Sequence, residues 1–246
     1  MGLKRTLINI VCGLIPGRKA RSQTRVVLNN PKMVHDYVEF VRDWANKNCG
    51  GVKKLSLEFG VGCHNLVVLL NNEHVFKFSL VNRPSRGPRE KRITDALRTA
   101  SPIHLPEMEV FEWRGTIVRR YEFIHGKLIS EFDPKFINQN REKIAKQLAN
   151  FMFVVGRADP EAIRDLKPTP DAVPGYLYGW FHNDLGNNFI MDDELNIVGF
   201  IDNEKAEFCN FQDGLSLTAH FWDKHGIRGL MVATLAEYSK LYYGNK

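Results

Sequence analysis

The sequence predicts an α+β protein in which a small, antiparallel, β-rich N-terminal part precedes a mostly helical C-terminal part. The first observation is a series of short apolar runs within residues 55–80, separated by turn residues, which is typical of a β-meander. The second is the helical composition of residues 134–155. The third is a pair of short apolar runs within residues 189–201, which predicts a β-hairpin inside the helical part.

The N-terminal part begins with an amphipathic helix that starts at Pro31 and ends within residues 48–51. Its apolar residues recur at helical spacing, namely Val34, Tyr37, Val38, Val41, Trp44 and Ala45. Three strands are then expected, at residues 55–59, 65–70 and 74–80. The loop GVGCHN separates the first two strands and Asn71-Asn72 separates the next two, and both are turn-forming sequences.

The remaining elements follow in the same way. A second helix is expected over residues 88–99, before a hairpin centred on Trp113-Arg114-Gly115. In the C-terminal part, the embedded hairpin turns at residues 192–194, and a last helix is expected over residues 230–243. No internal repeat is visible in the sequence.

The composition excludes several classes of protein. With 246 residues, 43% hydrophobic and 25% charged, the chain can bury a real core, so it is not a disordered tail. The net charge of +6 suits an anionic partner such as a nucleotide, a phosphorylated sugar or an anionic membrane, but it is too small to indicate nucleic acid. The four cysteines form no CxxC pair, so we predict no zinc site or disulfide framework and expect a cytoplasmic location.

Residues 1–28 form a basic, amphipathic leader. Its apolar run from Thr6 to Ile15 is too short to span a bilayer, which needs roughly 20 apolar residues. The favoured interpretation is an interfacial anchor on the inner face of the membrane, with its apolar side chains inserted and its Lys and Arg side chains on anionic head groups. A packed leader and an export signal are the alternatives, although no small-x-small cleavage site follows the run.

The order of the elements resembles that of the protein-kinase-like fold, in which a small β-rich lobe, a connecting strand and a helical lobe follow one another. The connecting strand is expected to end near Gly126. The resemblance covers roughly residues 52–222. It implies a bilobal protein with an N-terminal lobe over residues 29–124 and a C-terminal lobe over residues 125–246.

The resemblance assigns nucleotide binding to the N-terminal lobe. Gly60 and Gly62, in the loop that leads to Asn65, look like a glycine loop that covers a nucleotide and lets backbone N–H groups approach its phosphates. The segment after the hairpin looks like a kinase hinge. Backbone groups near Glu122 and Ile124 are therefore expected to bind the adenine of ATP.

Lys77 stands alone among apolar residues in the third predicted strand and resembles the phosphate-binding lysine of kinases. A buried charge without a partner is costly, so Lys77 needs an anionic partner. Glu90 is well spaced to form the lysine–glutamate ion pair of kinases. The alternative is a lysine on a solvent-facing edge strand and a glutamate that only favours the start of a helix.

Two carboxylates stand in unlike settings in the C-terminal part. Asp184 lies in the loop His182-Asn183-Asp184, and Asp202 ends an apolar run. Together with Asn188 and the hairpin between them, this block is similar to the catalytic segment of the aminoglycoside phosphotransferase and choline kinase superfamily. The resemblance implies that Asp184 accepts or orients the proton of an acceptor hydroxyl, that Asp202 and Asn188 hold Mg²⁺ against the ATP phosphates, and that His182 braces the loop.

The sequence departs from the superfamily pattern at two positions. The loop from Asp184 to Asn188 is one residue shorter than is usual, so Asn187 is an alternative metal ligand. Asn203 follows Asp202, where the superfamily usually has an aromatic residue.

The resemblance implies an ATP- and Mg²⁺-dependent phosphotransferase with a small hydroxyl acceptor, either a sugar or an amino alcohol. The leader resembles the N-termini of bacterial lipopolysaccharide and polysaccharide biosynthesis enzymes, so a sugar of envelope assembly is the preferred acceptor. A choline- or ethanolamine-type kinase is the second interpretation. A protein kinase is the third interpretation. The stretch between Asp202 and Asp213 leaves little room for an activation segment, which argues against a peptide substrate. A non-catalytic pseudokinase that only binds a nucleotide is the last.

We predict that residues 1–28 bind anionic membranes. Each basic residue near a membrane surface contributes roughly 1 kcal/mol at moderate salt, and six flank or follow the apolar run: Lys4, Arg5, Arg18, Lys19, Arg21 and Arg25. Anionic liposomes should carry the full-length protein in flotation and leave behind a protein that lacks residues 1–28. Equal flotation of both proteins, or no flotation of the full-length protein at low salt, contradicts the prediction.

Overall fold

The computed structural model describes residues 24–25, 27–59, 65–80, 86–167 and 178–244. The chain forms two compact units. The first contains the described residues up to Gly87 together with Glu109–Phe123, and the second contains Pro88–Met108 and the described residues from Ile124 onward. Most of the predicted leader lies outside the described residues, so membrane binding by residues 1–28 stays a prediction.

The helices with defined bounds are α1 (Pro31–Asn48), α2 (Arg86–Arg98), α3 (Pro134–Gln139), α4 (Arg141–Gly156), α5 (Phe211–Lys224) and α6 (Leu230–Gly244). The strands are β1 (Leu55–Phe59), β2 (Asn65–Leu70), β3 (His74–Ser79), β4 (Glu109–Trp113), β5 (Thr116–Glu122), β6 (Lys127–Leu128), β7 (Tyr178–Phe181), β8 (Phe189–Met191), β9 (Ile197–Phe200) and β10 (Glu207–Asn210). Short 3-10 turns lie at Ile129–Glu131, Glu161–Leu166, Leu185–Asn187 and Asn203–Lys205.

The first unit is an antiparallel sheet with the strand order β1-β2-β3-β5-β4, and α1 packs on one of its faces. Side chains alternate between the faces of a sheet, so every second residue of β2 and β3 points towards α1. These are Leu66, Val68, Leu70, Phe76 and Phe78. Tyr37 of α1 stacks on Phe78 with 4.3 Å between the ring centroids. Such aromatic pairs contribute about 0.5–1.5 kcal/mol beyond the area that they bury.

The turn between β2 and β3 depends on asparagine. Asn71 and Asn72 have φ angles of 57° and 56°, a left-handed conformation that asparagine tolerates better than most residues. The side-chain oxygen of Asn71 also accepts hydrogen bonds from the backbone N–H groups of Lys53 and Lys54, at 2.8 and 3.0 Å. The turn therefore fixes the hairpin and also anchors the chain that enters β1.

Helix α4 lies in the core of the second unit and packs against α6 and β7. Its side chain Phe151 stacks on Phe200 of β9, with 4.0 Å between the ring centroids. At its C-terminus, Gly156 lies directly against Gly179 of β7. A Cβ atom on Gly179 would overlap the carbonyl oxygen of Gly156, so only glycine permits this approach.

Two small sheets complete the second unit. One pairs β7 with β10, and the other has the order β6-β8-β9. The loop after β7 and the turn after β9 carry the polar residues of interest, and α5 supports that loop. Trp222 of α5 donates a hydrogen bond of 2.9 Å from Nε1 to the carbonyl oxygen of Gly186.

Most of the predicted elements are confirmed. The three strands of the meander have the expected bounds, except that β3 ends one residue earlier, at Ser79. The predicted helix over residues 134–155 is divided at Asn140, whose side-chain nitrogen bonds the carbonyl oxygen of Phe136, into α3 and α4. The pairing of β7 with β10 was not predicted. Among the helices of the described residues, none is long and apolar enough to cross a membrane.

Helix α2 packs into a core that its local sequence pattern does not predict. The sequence predicts this helix, and the sequence-based division of the chain assigns it to the N-terminal lobe. Its apolar residues Ile93 and Leu97 instead belong to the core of the second unit. Helical periodicity shows which face of a helix is apolar but does not identify the core against which that face packs.

We predict that Leu148→Ala destabilises the second unit strongly. Leu148 is fully buried on α4, and such a truncation leaves a cavity that costs about 2–5 kcal/mol of unfolding free energy. Chemical denaturation followed by circular dichroism measures the change. Leu217→Ala on α5 is the matched control, because Leu217 is 68% exposed and its truncation should change stability by less than about 0.5 kcal/mol. Similar losses in both variants contradict the assignment of Leu148 to the core.

Candidate active site

The loop after β7 carries His182 and Asp184, and His182 ties it to β9. Its side chain is buried, and Nε2 lies 2.9 Å from the carbonyl oxygen of Ile201. A carbonyl can only accept, so Nε2 carries a proton and donates it. Burial lowers the pKa of His182, which therefore stays neutral near pH 7. In this geometry His182 braces the loop, and its buried side chain is engaged with a backbone carbonyl and not with a group that exchanges protons.

Asn183 turns the chain so that Asp184 leaves the sheet. Its φ angle is 56°, again in the left-handed region. Its side-chain nitrogen donates to Glu207 Oε1 at 2.7 Å and to the carbonyl oxygen of Lys205 at 3.3 Å. The loop is therefore fastened to the segment that follows Asp202.

Asp184 lies at the open side of this loop, with 41% of its side chain exposed. Its Oδ2 atom forms an ion pair of 2.7 Å with Nζ of Lys205. Its backbone carbonyl accepts a hydrogen bond of 2.7 Å from the side-chain nitrogen of Asn188. The carboxylate is thus held in a fixed direction and remains reachable from solvent, as a group that meets an acceptor hydroxyl must be.

The two candidate asparagines have different partners. Asn187 Oδ1 accepts a hydrogen bond of 3.2 Å from the backbone N–H of Ser130, which engages the atom that a metal would need. Asn188 uses its side-chain nitrogen for Asp184, and its backbone carbonyl accepts from Ile201 N–H at 2.9 Å. Asn188 therefore connects Asp184 with the strand that ends before Asp202. These contacts favour Asn188 over Asn187, and the metal role of Asn188 stays a prediction.

Three carboxylates meet at the turn after β9. Glu90 of α2, Asp202 and Glu204 each place an oxygen so that all three atoms lie within 4.8 Å of one another. Glu90 is buried, and the other two are half-buried. Like charges at this distance repel one another, and a cation among them relieves the repulsion.

The donor set of this carboxylate cluster fits Mg²⁺. Carboxylate oxygens are hard ligands, which Mg²⁺ prefers. Asp202 reaches the cluster from an unusual backbone, with φ 63° and ψ 51°. Left-handed conformations cost about 1–3 kcal/mol in residues other than glycine and concentrate at functional sites.

The cluster contains residues that the sequence analysis assigned differently or did not assign. Glu90 was predicted as the partner of Lys77, and the structure brings it to Asp202 and Glu204. The sequence analysis did not assign Glu204. Its position two residues after Asp202 was the available signal. Because Lys77 and Glu90 belong to different units, the ion pair between them stays a prediction.

The first unit buries two cations opposite each other. Lys77 of β3 is in register with Arg119 of β5, and they are 4% and 1% exposed. Arg119 donates to Asn65 Oδ1 at 2.6 Å and to Ser79 Oγ at 3.1 Å. Arg119 therefore holds the residue that follows the glycine loop. The sequence analysis missed Arg119, although an arginine next to Ile117 and Val118 was a signal like that of Lys77. Gly60 and Gly62 lie outside the described residues.

Among the described residues, no strand lies beside one edge of the backbone at the end of β5. Phe123 N–H donates to the carbonyl oxygen of Glu73 at 2.8 Å, on the β3 side. Backbone groups alternate in direction along a strand, so those of Glu122 point to the opposite side. There β4 begins at Glu109, opposite Arg120, and does not reach Glu122. The predicted contacts of Glu122 and Ile124 with adenine stay predictions.

No protein-family profile and no curated protein matches the sequence. Solved structures do match the fold. The GDP and kanamycin complex of APH(2")-IIia is 17% identical, with a TM-score of 0.60 over 77% of this chain and 78% of that chain. The macrolide 2'-phosphotransferase MphH from Brachybacterium faecium is 14% identical, with a TM-score of 0.55 over 82% of each chain. The ADP-bound aminoglycoside phosphotransferase APH(2'')-Ib is 12% identical, with a TM-score of 0.53 over 85% and 91%.

At these identities the likeness is one of fold. It confirms the predicted fold class, because the chain combines antiparallel sheets and helices as these phosphotransferases do. This protein therefore has the α+β, protein-kinase-like fold of aminoglycoside and macrolide phosphotransferases.

Proposed function

We propose that this protein is an ATP- and Mg²⁺-dependent phosphotransferase that acts on a hydroxyl group of a small molecule. The observation that carries the proposal is the joint placement of Asp184 and the carboxylate cluster in the second unit. Asn188 connects the two, with its side chain on the Asp184 carbonyl and its own carbonyl on Ile201. Phosphoryl transfer needs one group for the acceptor proton and another for the metal, and Asp184 and the carboxylate cluster support the proposal as candidates for these two roles.

The solved structures add support from their nucleotides. The matching phosphotransferases are described in complexes with GDP, ADP and ATP, and some with kanamycin, streptomycin or gentamicin. These ligands belong to those proteins. For this chain they support a nucleotide as phosphoryl donor and a small hydroxyl compound as acceptor.

In the proposed reaction, Asp184 accepts or orients the proton of the acceptor hydroxyl. Neutral His182 and Asn188 hold the loop, so the carboxylate direction is fixed before the acceptor arrives. Asp202 and Glu204, with Glu90 and the Asn188 oxygen, would hold Mg²⁺. The chemistry supplied by the bound ion would be neutralisation of charge on the phosphate oxygens. In the first unit, Lys77 would bind phosphate and the backbone near Glu122 would bind the base.

Within this class, a sugar of envelope lipopolysaccharide or polysaccharide assembly is the acceptor that we favour. The support is the basic, apolar leader, which resembles the N-termini of enzymes of that assembly and would bring the protein to the inner face of the membrane. A choline- or ethanolamine-type kinase is the second candidate, supported by the His-Asn-Asp-Leu sequence at residues 182–185.

A peptide acceptor is less well supported by the described residues. After Asp202, one 3-10 turn is followed directly by β10, and α5 begins at Phe211. A protein kinase needs an activation segment after its metal-binding aspartate, and this stretch leaves no length for one. A non-catalytic nucleotide-binding protein would not need Asp184 to be exposed and fixed.

Turnover of Mg-ATP with a panel of acceptors tests the proposal. The panel contains sugars of envelope glycolipids, choline and ethanolamine, kanamycin and casein, and release of ADP is measured. Acceleration of ADP release by a hydroxyl compound supports the proposed reaction and identifies its class. If casein alone accelerates ADP release, the protein is a protein kinase. If no Mg-nucleotide binds at all, the proposed function is wrong.

We predict that the two aspartates fail in different ways. Asp184→Asn should lower turnover by about 10²–10⁴ and leave Mg-ATP binding nearly unchanged, because a lost proton acceptor affects the chemical step. Asp202→Asn should remove turnover together with the Mg²⁺ dependence of nucleotide binding, because it removes a metal ligand. Calorimetric titration of nucleotide with and without Mg²⁺ measures both effects.

Asp193→Asn is the control for this pair. Asp193 lies in the turn of the same hairpin, is exposed, and pairs only with Lys127 among the described ion pairs. Its loss should affect neither turnover nor the Mg²⁺ dependence. The assignment of roles fails if Asp184→Asn loses the Mg²⁺ effect while Asp202→Asn keeps it.

A further pair of variants separates phosphate binding from metal binding. Lys77→Ala and Glu90→Gln should both lower turnover, and the lysine loss should be larger because Lys77 would bind phosphate directly. Glu90→Gln should also raise the Mg²⁺ concentration for half-maximal turnover by about tenfold or more, since even residues behind metal ligands contribute 10–100-fold to affinity. An unchanged Mg²⁺ requirement in Glu90→Gln would show that Glu90 only positions Lys77.

A further inference from the structure

Lys205 places an ammonium group on the carboxylate of Asp184. Its Nζ atom is 2.7 Å from Asp184 Oδ2, and 54% of its side chain is exposed. Lys205 ends the 3-10 turn Asn203–Lys205. Two members of the carboxylate cluster belong to the same segment, because Asp202 directly precedes this turn and Glu204 lies within it. This short segment therefore contributes negative charges to the carboxylate cluster and a positive charge to Asp184.

The backbone of Lys205 is held by hydrogen bonds, whereas its side chain is about half exposed to solvent. The Lys205 carbonyl accepts from the side-chain nitrogen of Asn183, and the next residue, Ala206, donates its N–H to Asn203 at 3.0 Å. The ammonium group lies at the end of a four-carbon stem that reaches solvent. Lys205 can thus exchange one anionic partner for another without any movement of the loop.

Stability does not account for this ion pair. Ion pairs between groups that are about half exposed contribute little to folding. The pair also occupies Oδ2, one of the two oxygens of the carboxylate that the proposed reaction uses for the acceptor hydroxyl. An incoming polyphosphate carries more negative charge than one carboxylate, so it competes for the ammonium group and releases Asp184.

We propose that Lys205 is a catalytic residue whose ammonium group binds the transferring phosphoryl group of ATP. The inference rests on the proposed function and deepens it. Before the substrates bind, Lys205 pairs with Asp184. When ATP is present, Lys205 moves to the γ-phosphoryl oxygens, and the Asp184 carboxylate becomes free to meet the acceptor hydroxyl.

The step balances without any other reactant. The acceptor oxygen gives its proton to the Asp184 carboxylate and forms a bond to the γ-phosphorus of ATP. The bond between the γ-phosphorus and the β,γ-bridging oxygen breaks, and its electron pair leaves with ADP. Lys205 keeps its three protons throughout and acts by neutralising charge on the equatorial oxygens, which is the role of cations in phosphoryl transfer.

The competing explanation is that Lys205 only pins the turn to the loop. A structural role of this kind would lower thermal stability and nucleotide affinity along with turnover. A catalytic role would lower kcat and the affinity for an analogue of the transferring group, and it would leave Mg-ADP affinity unchanged. Mg-ADP with aluminium fluoride is such an analogue, because the fluoride complex occupies the position of the phosphoryl group.

The test compares Lys205→Met, Lys205→Arg and Lys127→Met in the full chain. Lys127 is the matched control, because its Nζ atom is also 2.7 Å from a carboxylate, that of Asp193, and its side chain is also 54% exposed. The measurements are kcat and KM for Mg-ATP from ADP release, melting temperature, and the affinity for Mg-ADP with and without aluminium fluoride.

Lys205→Met should lower kcat by about 10²–10³, as the loss of one group that stabilises transition-state charge does. It should bind Mg-ADP like the wild type and lose the gain in affinity that aluminium fluoride gives. Lys205→Arg should recover part of the activity because it keeps the charge, and Lys127→Met should behave as the wild type.

Two results overturn the assignment of Lys205 alone: wild-type kcat in Lys205→Met, or a parallel loss of Mg-ADP affinity and melting temperature with kcat. Failure of the wild-type protein to bind any Mg-nucleotide overturns the proposed function and the role of Lys205 with it. The outcomes are therefore distinguishable, and the binding measurements do not require that the acceptor be known.

Discussion

The geometry of the candidate site depends on the two hydrogen bonds made by the backbone of Ile201. Its N–H donates to the carbonyl of Asn188, and its own carbonyl accepts from His182, each at 2.9 Å. Through these bonds the loop that carries Asp184 and the turn that begins at Asp202 become one piece. Hydrogen bonds in buried surroundings are strong and costly to leave unmade. Nε2 carries a proton in the neutral tautomer that makes this bond and also in the imidazolium, so the bond does not depend on the charge of His182. The carboxylate cluster and the Lys205–Asp184 pair both follow from this connection.

The sheet of the first unit has an apolar face that packs in the core and an opposite face that carries buried charged residues. On one face, aromatic and aliphatic side chains pack against α1. On the other, Lys77 and Arg119 lie opposite each other, and burial of such charges is tolerated only with polar partners. Arg119 finds two of them in Asn65 and Ser79. Because side chains alternate along each strand, a change at Phe76 affects the core, whereas a change at Lys77 affects the polar face.

Local features of the sequence could be predicted, and long-range contacts could not. The strands on either side of Asn71-Asn72 follow from alternation and turn chemistry, which act over a few residues. The pairing of β7 with β10 joins segments that are distant in sequence, and the pattern of neither strand indicates which strand it pairs with. The spacing of Asn187 and Asn188 left both open as metal ligands, whereas their hydrogen bonds distinguish them. The approach of Lys205 to Asp184 likewise depends on how the turn after β9 packs against the loop after β7, so no local sequence motif predicts it.

The contact between Gly156 and Gly179 limits how this protein can diverge. It places the end of α4 directly against the strand that leads into the Asp184 loop, with no side chain between the two backbones. Loops at the surface accept insertions and exchanges. A methyl group at Gly179 has no space, so any substitution there must displace the strand and the loop with it. Descendants of this chain are therefore free to vary the loops around the candidate site but must keep these two glycines for as long as the Asp184 loop keeps its position.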